Sequence, residues 1–157
     1  MNLRDNAIMI AGLGSAILLA AALAFQYLDG LPPCQLCIWQ RWPHVVAILA
    51  LLLWALTRWR VWPWLGCLAA LAASSLGLFH VGVEQGWWEF ISSCTQDVPL
   101  SVGPGAALLP DEGDIVAPPV RCDRIAWQFL GLSMAAWNAI CSAGLAILWL
   151  IGASRRA

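Results

Sequence analysis

The residues of this chain best suited to chemistry are cysteines, and two of them stand two residues apart in a Cys34-Gln35-Leu36-Cys37 motif. A disulfide across so short a loop constrains little of the unfolded chain, so a purely structural role fits it poorly. Two thiols at a helix N-terminus suit exchange chemistry better, because the helix end lowers the pKa of at least one of them. Arg41 follows Cys37 by one helical turn, on the same face. A cation there can stabilise a Cys37 thiolate and donate hydrogen bonds to a carbonyl oxygen of a lipid-soluble cofactor. The plain alternative for Arg41 is an interfacial arginine snorkelling to lipid phosphates.

The other four cysteines divide by position. Cys94 and Cys122 lie in a long connecting loop, while Cys67 and Cys141 lie within apolar stretches, where a cysteine behaves as a small apolar residue. Zinc ligands usually arrive as two close pairs, and the wide separation of Cys94 from Cys122 argues against a four-cysteine zinc site. Structural staples remain an open reading for Cys94 and Cys122, and three pairings of the four outer cysteines are possible.

What must position these thiols is a membrane bundle. The chain has 157 residues, of which 61% are hydrophobic and 11% charged, with a mean hydropathy of +0.75. That exceeds what a water-soluble core requires. Four windows are long and apolar enough to cross a bilayer: 8–28, 38–56, 62–83 and 127–151. The expected fold is therefore all-α, a single four-helix transmembrane domain over 1–157. Its outer loops are 29–37 and 84–124. The second window is marginal, because it must carry Gln40, Arg41 and His44. An arginine drawn into the membrane zone is costly and marks a functional site by default. Ala22-Leu23-Ala24 resembles a signal-peptide cleavage site, but the apolar run continues to Leu28, so a retained first span is expected.

Orientation follows from the basic residues. Arg4, Arg58, Arg60, Arg155 and Arg156 fall on one side, which puts both termini in the cytoplasm. Most acids, and the four chemically interesting cysteines, fall on the other side, where disulfides are favoured. Ten of the eleven tryptophans are expected near helix ends, with Trp137 in mid-span. Within the long loop, Val98 to Pro110 is apolar enough to rest on the membrane surface, and Gly103-Pro104-Gly105 interrupts any continuous helix there. Pro43 removes one backbone donor from the second span.

An electron acceptor for these thiols has to dissolve in the membrane or bind the protein. Gly12-Leu13-Gly14 lacks the third glycine of a dinucleotide-binding turn and lies inside a span, which excludes that class. No basic patch suits nucleic acid. A quinone needs only an apolar slot between helices and a donor for its carbonyls.

Two stretches resemble the DsbB family of bacterial inner-membrane thiol oxidases: Pro33-Cys34-Gln35-Leu36-Cys37-Ile38-Trp39-Gln40-Arg41, and Cys122-Asp123-Arg124-Ile125-Ala126-Trp127 with its continuation to Trp137. The resemblance implies an enzyme that reoxidises a periplasmic thioredoxin-like protein of DsbA type and passes the electrons to ubiquinone or menaquinone. It implies resting Cys34–Cys37 and Cys94–Cys122 disulfides, with Cys94 attacked by the partner and Cys122 exchanging with Cys34. Cys37 would then be the thiolate beside the quinone, with Arg41, His80 and Met134 around the ring. The vitamin K epoxide reductase type of oxidoreductase has the reverse cysteine order. A scaffold with bracing disulfides is the reading from another class. It would keep its disulfides when offered a reduced partner and a quinone.

Overall fold

Each apolar window holds one long helix. The structure, a computed structural model of the chain, describes residues 2–89 and 120–154. Helix α1 spans Leu3–Tyr27, α2 Gln35–Thr57, α3 Val61–Glu84 and α4 Met134–Ala153. The shortest has 20 residues, so at about 1.5 Å rise per residue all four can cross a hydrocarbon core of roughly 30 Å. Mean hydropathy is 2.4 for α1 and only 1.5 for α2, whose polar residues were already legible in the sequence.

The helices pack in cyclic order, α1 on α2, α2 on α3, α3 on α4 and α4 on α1, while α1 and α3 barely touch. Large apolar side chains such as Ile17, Leu52, Leu68, Leu78 and Ile147 point outward. Buried instead are small and polar residues, among them Ala11, Ala50, Ala73, Ala139, Ser15, Ser74 and Ser142. That distribution suits lipid as solvent, where helices associate through close backbone approach and interhelical hydrogen bonds. A Cβ added at Gly77 would stand 3.0 Å from the Ala135 carbonyl oxygen, so α3 and α4 pass too closely there for a larger side chain. Lower in the bundle, Gly66 leaves room for the fully buried Trp149 ring.

The fourth span departs from expectation at its start. The apolar window opens at Trp127, yet Gln128–Phe129 and Leu132–Ser133 form a two-stranded antiparallel hairpin, and helix begins only at Met134. Leu130 and Gly131 both have left-handed φ, 52° and 78°, as a two-residue hairpin turn requires. Apolar content reads this stretch as membrane but cannot distinguish hairpin from helix. Ser133 then caps α4 by accepting a hydrogen bond from Ala136 N at 3.2 Å. Trp137 is thereby moved from mid-span to the first turn of α4, where its Nε1 donates to Phe129 O at 3.1 Å. Trp149, expected in the inner aromatic belt, lies in the core instead.

At the opposite end Asp5 of α1 meets Arg58 at 3.7 Å, and Arg58 lies over the Trp54 ring at 4.3 Å. Cys94, the apolar stretch Val98 to Pro110 and its Gly-Pro-Gly interruption fall outside the described residues.

Candidate active site

Pro32 and Pro33 keep the chain extended up to Cys34, which is the N-cap of α2. The Cys34 sulphur accepts a hydrogen bond from Cys37 N at 3.2 Å. One turn of helix therefore brings the two sulphurs to 2.6 Å. Both are free thiols in this structure. A small side-chain rotation would carry them to the roughly 2.05 Å of a disulfide.

Cys122 joins them from the segment that precedes α4. It is fully buried, in one cluster with Cys34, Leu36 and Val83, against which Cys37 and Val120 pack. Three of the four outer cysteines thus converge although Cys122 is distant in sequence. Arg121 and Asp123 flank Cys122 and are joined by two hydrogen bonds, of 2.9 and 2.7 Å. Those bonds hold the Asp123 carboxyl below the usual carboxylate range.

His80, on α3, belongs to this cluster more closely than the sequence suggested. Its Nε2 is 3.2 Å from the Cys122 carbonyl oxygen, 3.7 Å from the Cys34 sulphur and 3.9 Å from Glu84 Oε1. Its Nδ1 is 2.8 Å from Gln40 Nε2. Glu84 in turn accepts a 2.5 Å hydrogen bond from Ser133 Oγ. Cys34, Cys37 and His80 also place three potential metal-ligating atoms within 4.8 Å of one another.

Beside the thiols lies a cavity of about 420 Å³, within the range of small-molecule sites. Its walls come from α1 (Leu18, Ala22, Phe25), the α2 mouth (Cys34, Cys37, Arg41, His44), and α4 (Met134, Ala135, Asn138). Trp127, Phe129 and Trp137 border it, with Trp127 against Phe25 at a ring separation of 5.0 Å. Most of this lining is apolar. Arg41 is the cation in the wall nearest Cys37 in sequence. Its Nη1 donates to Gln26 Oε1 at 2.5 Å and its Nη2 to Ala22 O at 3.4 Å, both on α1. Its Nε is buried with no partner among the described residues. The guanidinium is thus fixed by α1 and makes no hydrogen bond to Cys37 among the described residues, so any stabilisation of a Cys37 thiolate acts through space.

Gln40, His44 and Asn138 were not singled out as site residues from the sequence. Asn138 Nδ2 donates to Gln40 Oε1 at 2.7 Å and to Ala73 O at 3.3 Å, and Asn138 Oδ1 is 2.9 Å from His44 Nε2. The available signal was the presence of amides inside apolar spans, where a polar residue is expensive unless paired. Met134 borders the cavity, as does His80, but the ring nitrogens of His80 are turned to Gln40 and to Cys122.

A membrane bundle that gathers three thiols at one end beside an apolar cavity is an arrangement for thiol redox work in the bilayer. The family model "Disulfide bond formation protein DsbB" matches residues 4–152. The chain is 34% identical to disulfide bond formation protein B of Methylococcus capsulatus, over 87% of this chain and 85% of that one. It is also 34% identical to the protein of that name from Xanthomonas oryzae, over 95% and 89%, and to that of Chromobacterium violaceum, over 86% and 85%. No solved structure matches. The chain belongs to the DsbB family: it is a multi-pass membrane oxidoreductase of disulfide bond formation.

Proposed function

We propose that this protein reoxidises a periplasmic thioredoxin-like dithiol protein of DsbA type and delivers the electrons to a quinone, ubiquinone or menaquinone, in the bacterial inner membrane. The observation that carries this reading is the Cys34/Cys37 pair opening beside an apolar cavity that Arg41 lines, with an Nε that is buried and has no partner among the described residues. An orphaned donor in such a wall fits a carbonyl oxygen, because leaving it unpaired costs about 1 to 3 kcal/mol. When bound, the quinone supplies the capacity to take two electrons and two protons. Arg41 would hold it by its guanidinium, which Gln26 and Ala22 keep from following the ligand. Met134, Phe25 and Trp127 supply the apolar walls and exclude water.

Thiol exchange belongs to the cysteines. Cys94 and Cys122 form the pair that meets the partner, with Cys94 receiving the partner's thiolate and Cys122 set free. Cys122 then attacks the Cys34 sulphur of the Cys34–Cys37 disulfide: a Cys34–Cys122 bond forms, the older bond breaks, and the electron pair stays on Cys37. Its place in one buried cluster with Cys34 supports that route. Cys37, at the cavity, is then the electron-rich sulphur. The acidic outer side and the arginines at the other end support the periplasmic orientation of the thiols.

The test is oxygen-free turnover of the purified protein with reduced partner and a panel of quinones, in parent and Arg41→Met forms. Met keeps length and apolar character, so α2 should still insert. Loss of a charge-assisted donor costs on the order of 1.5 to 3 kcal/mol, so the apparent KM for quinone should rise roughly ten- to hundredfold, with near-normal mixed-disulfide formation at Cys94. Unchanged quinone kinetics in Arg41→Met would remove the main support for this reading.

A further inference from the structure

Buried amides in the bundle form a chain whose hydrogen-bond polarity has a single solution. Start at Ala73 O, a backbone carbonyl that only accepts: the Asn138 atom 3.3 Å away must be Nδ2. The same Nδ2 donates to Gln40 Oε1 at 2.7 Å. Asn138 Oδ1 accordingly faces His44 Nε2, 2.9 Å, and Ser142 Oγ, 3.4 Å, both of which can donate. With its oxygen spent on Asn138, Gln40 presents Nε2 to His80 Nδ1. An amide nitrogen only donates, so Nδ1 of His80 accepts and carries no hydrogen. The other end of the chain gives the same answer independently. Nε2 lies 3.2 Å from the Cys122 carbonyl, again an acceptor only, and so must carry the hydrogen. A second ring hydrogen on Nδ1 would face the Gln40 amide nitrogen, and relieving that clash would require turning both amides, leaving Asn138 Oδ1 against Ala73 O.

We infer that Asn138, acting through Gln40, is a positioning residue that locks His80 as its Nε2–H tautomer, so that His80 serves the thiol exchange by donating to a Cys34 thiolate.

The Cys34 sulphur lies 3.7 Å from that nitrogen, within reach of an N–H already shared with the Cys122 carbonyl. Cys34 becomes that thiolate when the Cys34–Cys122 bond is resolved: once the partner has left, the Cys94 thiolate attacks the Cys122 sulphur, a Cys94–Cys122 bond forms, the bond to Cys34 breaks, and its electron pair remains on Cys34. A thiolate attracts the hydrogen more strongly than a neutral carbonyl does, so the donor strengthens its hold as charge arrives. In the opposite tautomer Nε2 would turn a lone pair toward that charge. Glu84 Oε1, 3.9 Å from Nε2, is held at its other oxygen by Ser133, and the ring hydrogen is the donor α3 offers Cys34, beside the Cys37 N–H that reaches the same sulphur from α2 at 3.2 Å. The inference rests on the thiol-exchange half of the proposed function and needs nothing from the quinone half.

Only two histidines, His44 and His80, are present in the chain. Histidine-selective 15N labelling of the full-length reduced protein therefore gives two rings, and long-range proton–nitrogen correlations report which nitrogen carries hydrogen. A His44→Asn sample assigns them. The parent should show His80 as Nε2–H. Asn138→Leu should leave a mixture of tautomers. Gln40→Glu, whose carboxylate can only accept, should move the hydrogen to Nδ1 and slow iodoacetamide alkylation of Cys34, followed by peptide mass spectrometry, about tenfold, with Cys141 alkylation as the internal reference. An Nδ1–H ring in the parent overturns the inference whatever the variants do. So does a His80 ring that keeps Nε2–H in Asn138→Leu, with far-UV circular dichroism and the thermal midpoint reporting the fold, or a Cys34 whose alkylation rate ignores the tautomer. None of these readouts contains an electron acceptor, so a protein inactive with every quinone but carrying the Nε2–H ring would sink the proposed electron route and leave this one standing.

Discussion

The two ends of the bundle solve the same packing problem with different materials. Toward the acidic side, α2, α3 and α4 meet through Gln40, His44, His80 and Asn138, joined by hydrogen bonds and bordering a cavity, with Ser74 donating to the Ala139 carbonyl beside them. Toward the arginine-rich side, the contacts are Ala47, Ala50, Ala70 and Ala146 around Trp54 and Trp149, with Gly66 tucked under the indole. The first region gives up close packing for donors, thiols and space. The second is packed so that little can be added. Both hold cysteines, and that makes the comparison testable: chemistry should be confined to one end and steric intolerance to the other.

The largest expected effect is the contrast between Cys37→Ala and Cys67→Ala. Cys37 lines the cavity 2.6 Å from Cys34, so its loss should abolish turnover. Cys67 is a buried thiol that donates to the Ala146 carbonyl at 3.6 Å, and Cys141 is half-buried on α4. Replacing either by Ala should leave turnover within a few-fold of the parent. Steady-state assays on the three variants check this, and a folded but inactive Cys67→Ala protein would break the division between the ends.

Gly66→Val should be next in size. Its Cβ would stand 2.5 Å from the Trp149 ring, which is fully buried and cannot swing aside. Overpacking of this kind costs about 1 to 3 kcal/mol. Gly144→Ala, with nothing within 4 Å, is the control that should not lower stability. Thermal unfolding in detergent compares the two, and equal midpoints would show that the arginine-rich end is softer than its packing implies.

The smallest effect concerns the clasp beside Cys122. Arg121 holds the Asp123 carboxyl below its ordinary range, so ionised Asp123 stabilises the folded state above the usual carboxylate pKa. That contribution is lost as the pH falls through the lowered value. Stability differences between parent and Asp123→Asn should therefore be flat from neutral pH down to about 4 and shrink only below it. A half-exposed pair is worth at most about 1 kcal/mol. A difference that vanished near neutral pH would mean that another group carries the effect.

How legible all this was in the sequence depended on range. The Cys34/Cys37 pair, its seat at the α2 mouth and the one-turn offset of Arg41 are consequences of spacing along a single helix, and they needed no tertiary information. His80 illustrates the limit. The family resemblance put it beside a quinone, and it does line the cavity, but the sequence could not show that its nitrogens are turned to Gln40 and Cys122, because packing of α3 on α2 and on the segment before α4 decides which way the ring faces. Asn138 and Gln40 come from helices that lie across the bundle from each other, and no local pattern pairs them.

Composition and periodicity by themselves determined a bundle of four membrane-crossing helices with thiols at one end, since hydropathy over some twenty residues is a local sum and lipid tolerates little else. Only the tertiary structure decided that Trp127 to Ser133 turns as a hairpin before α4 begins, that Trp149 fills the core instead of the interface, that the Arg41 guanidinium is tied to α1, and that Cys122 is buried against Cys34. Each of those depends on which face of one element meets which face of another, and that is set by side-chain volume and hydrogen-bond pairing across the bundle, quantities that neighbours in sequence do not carry.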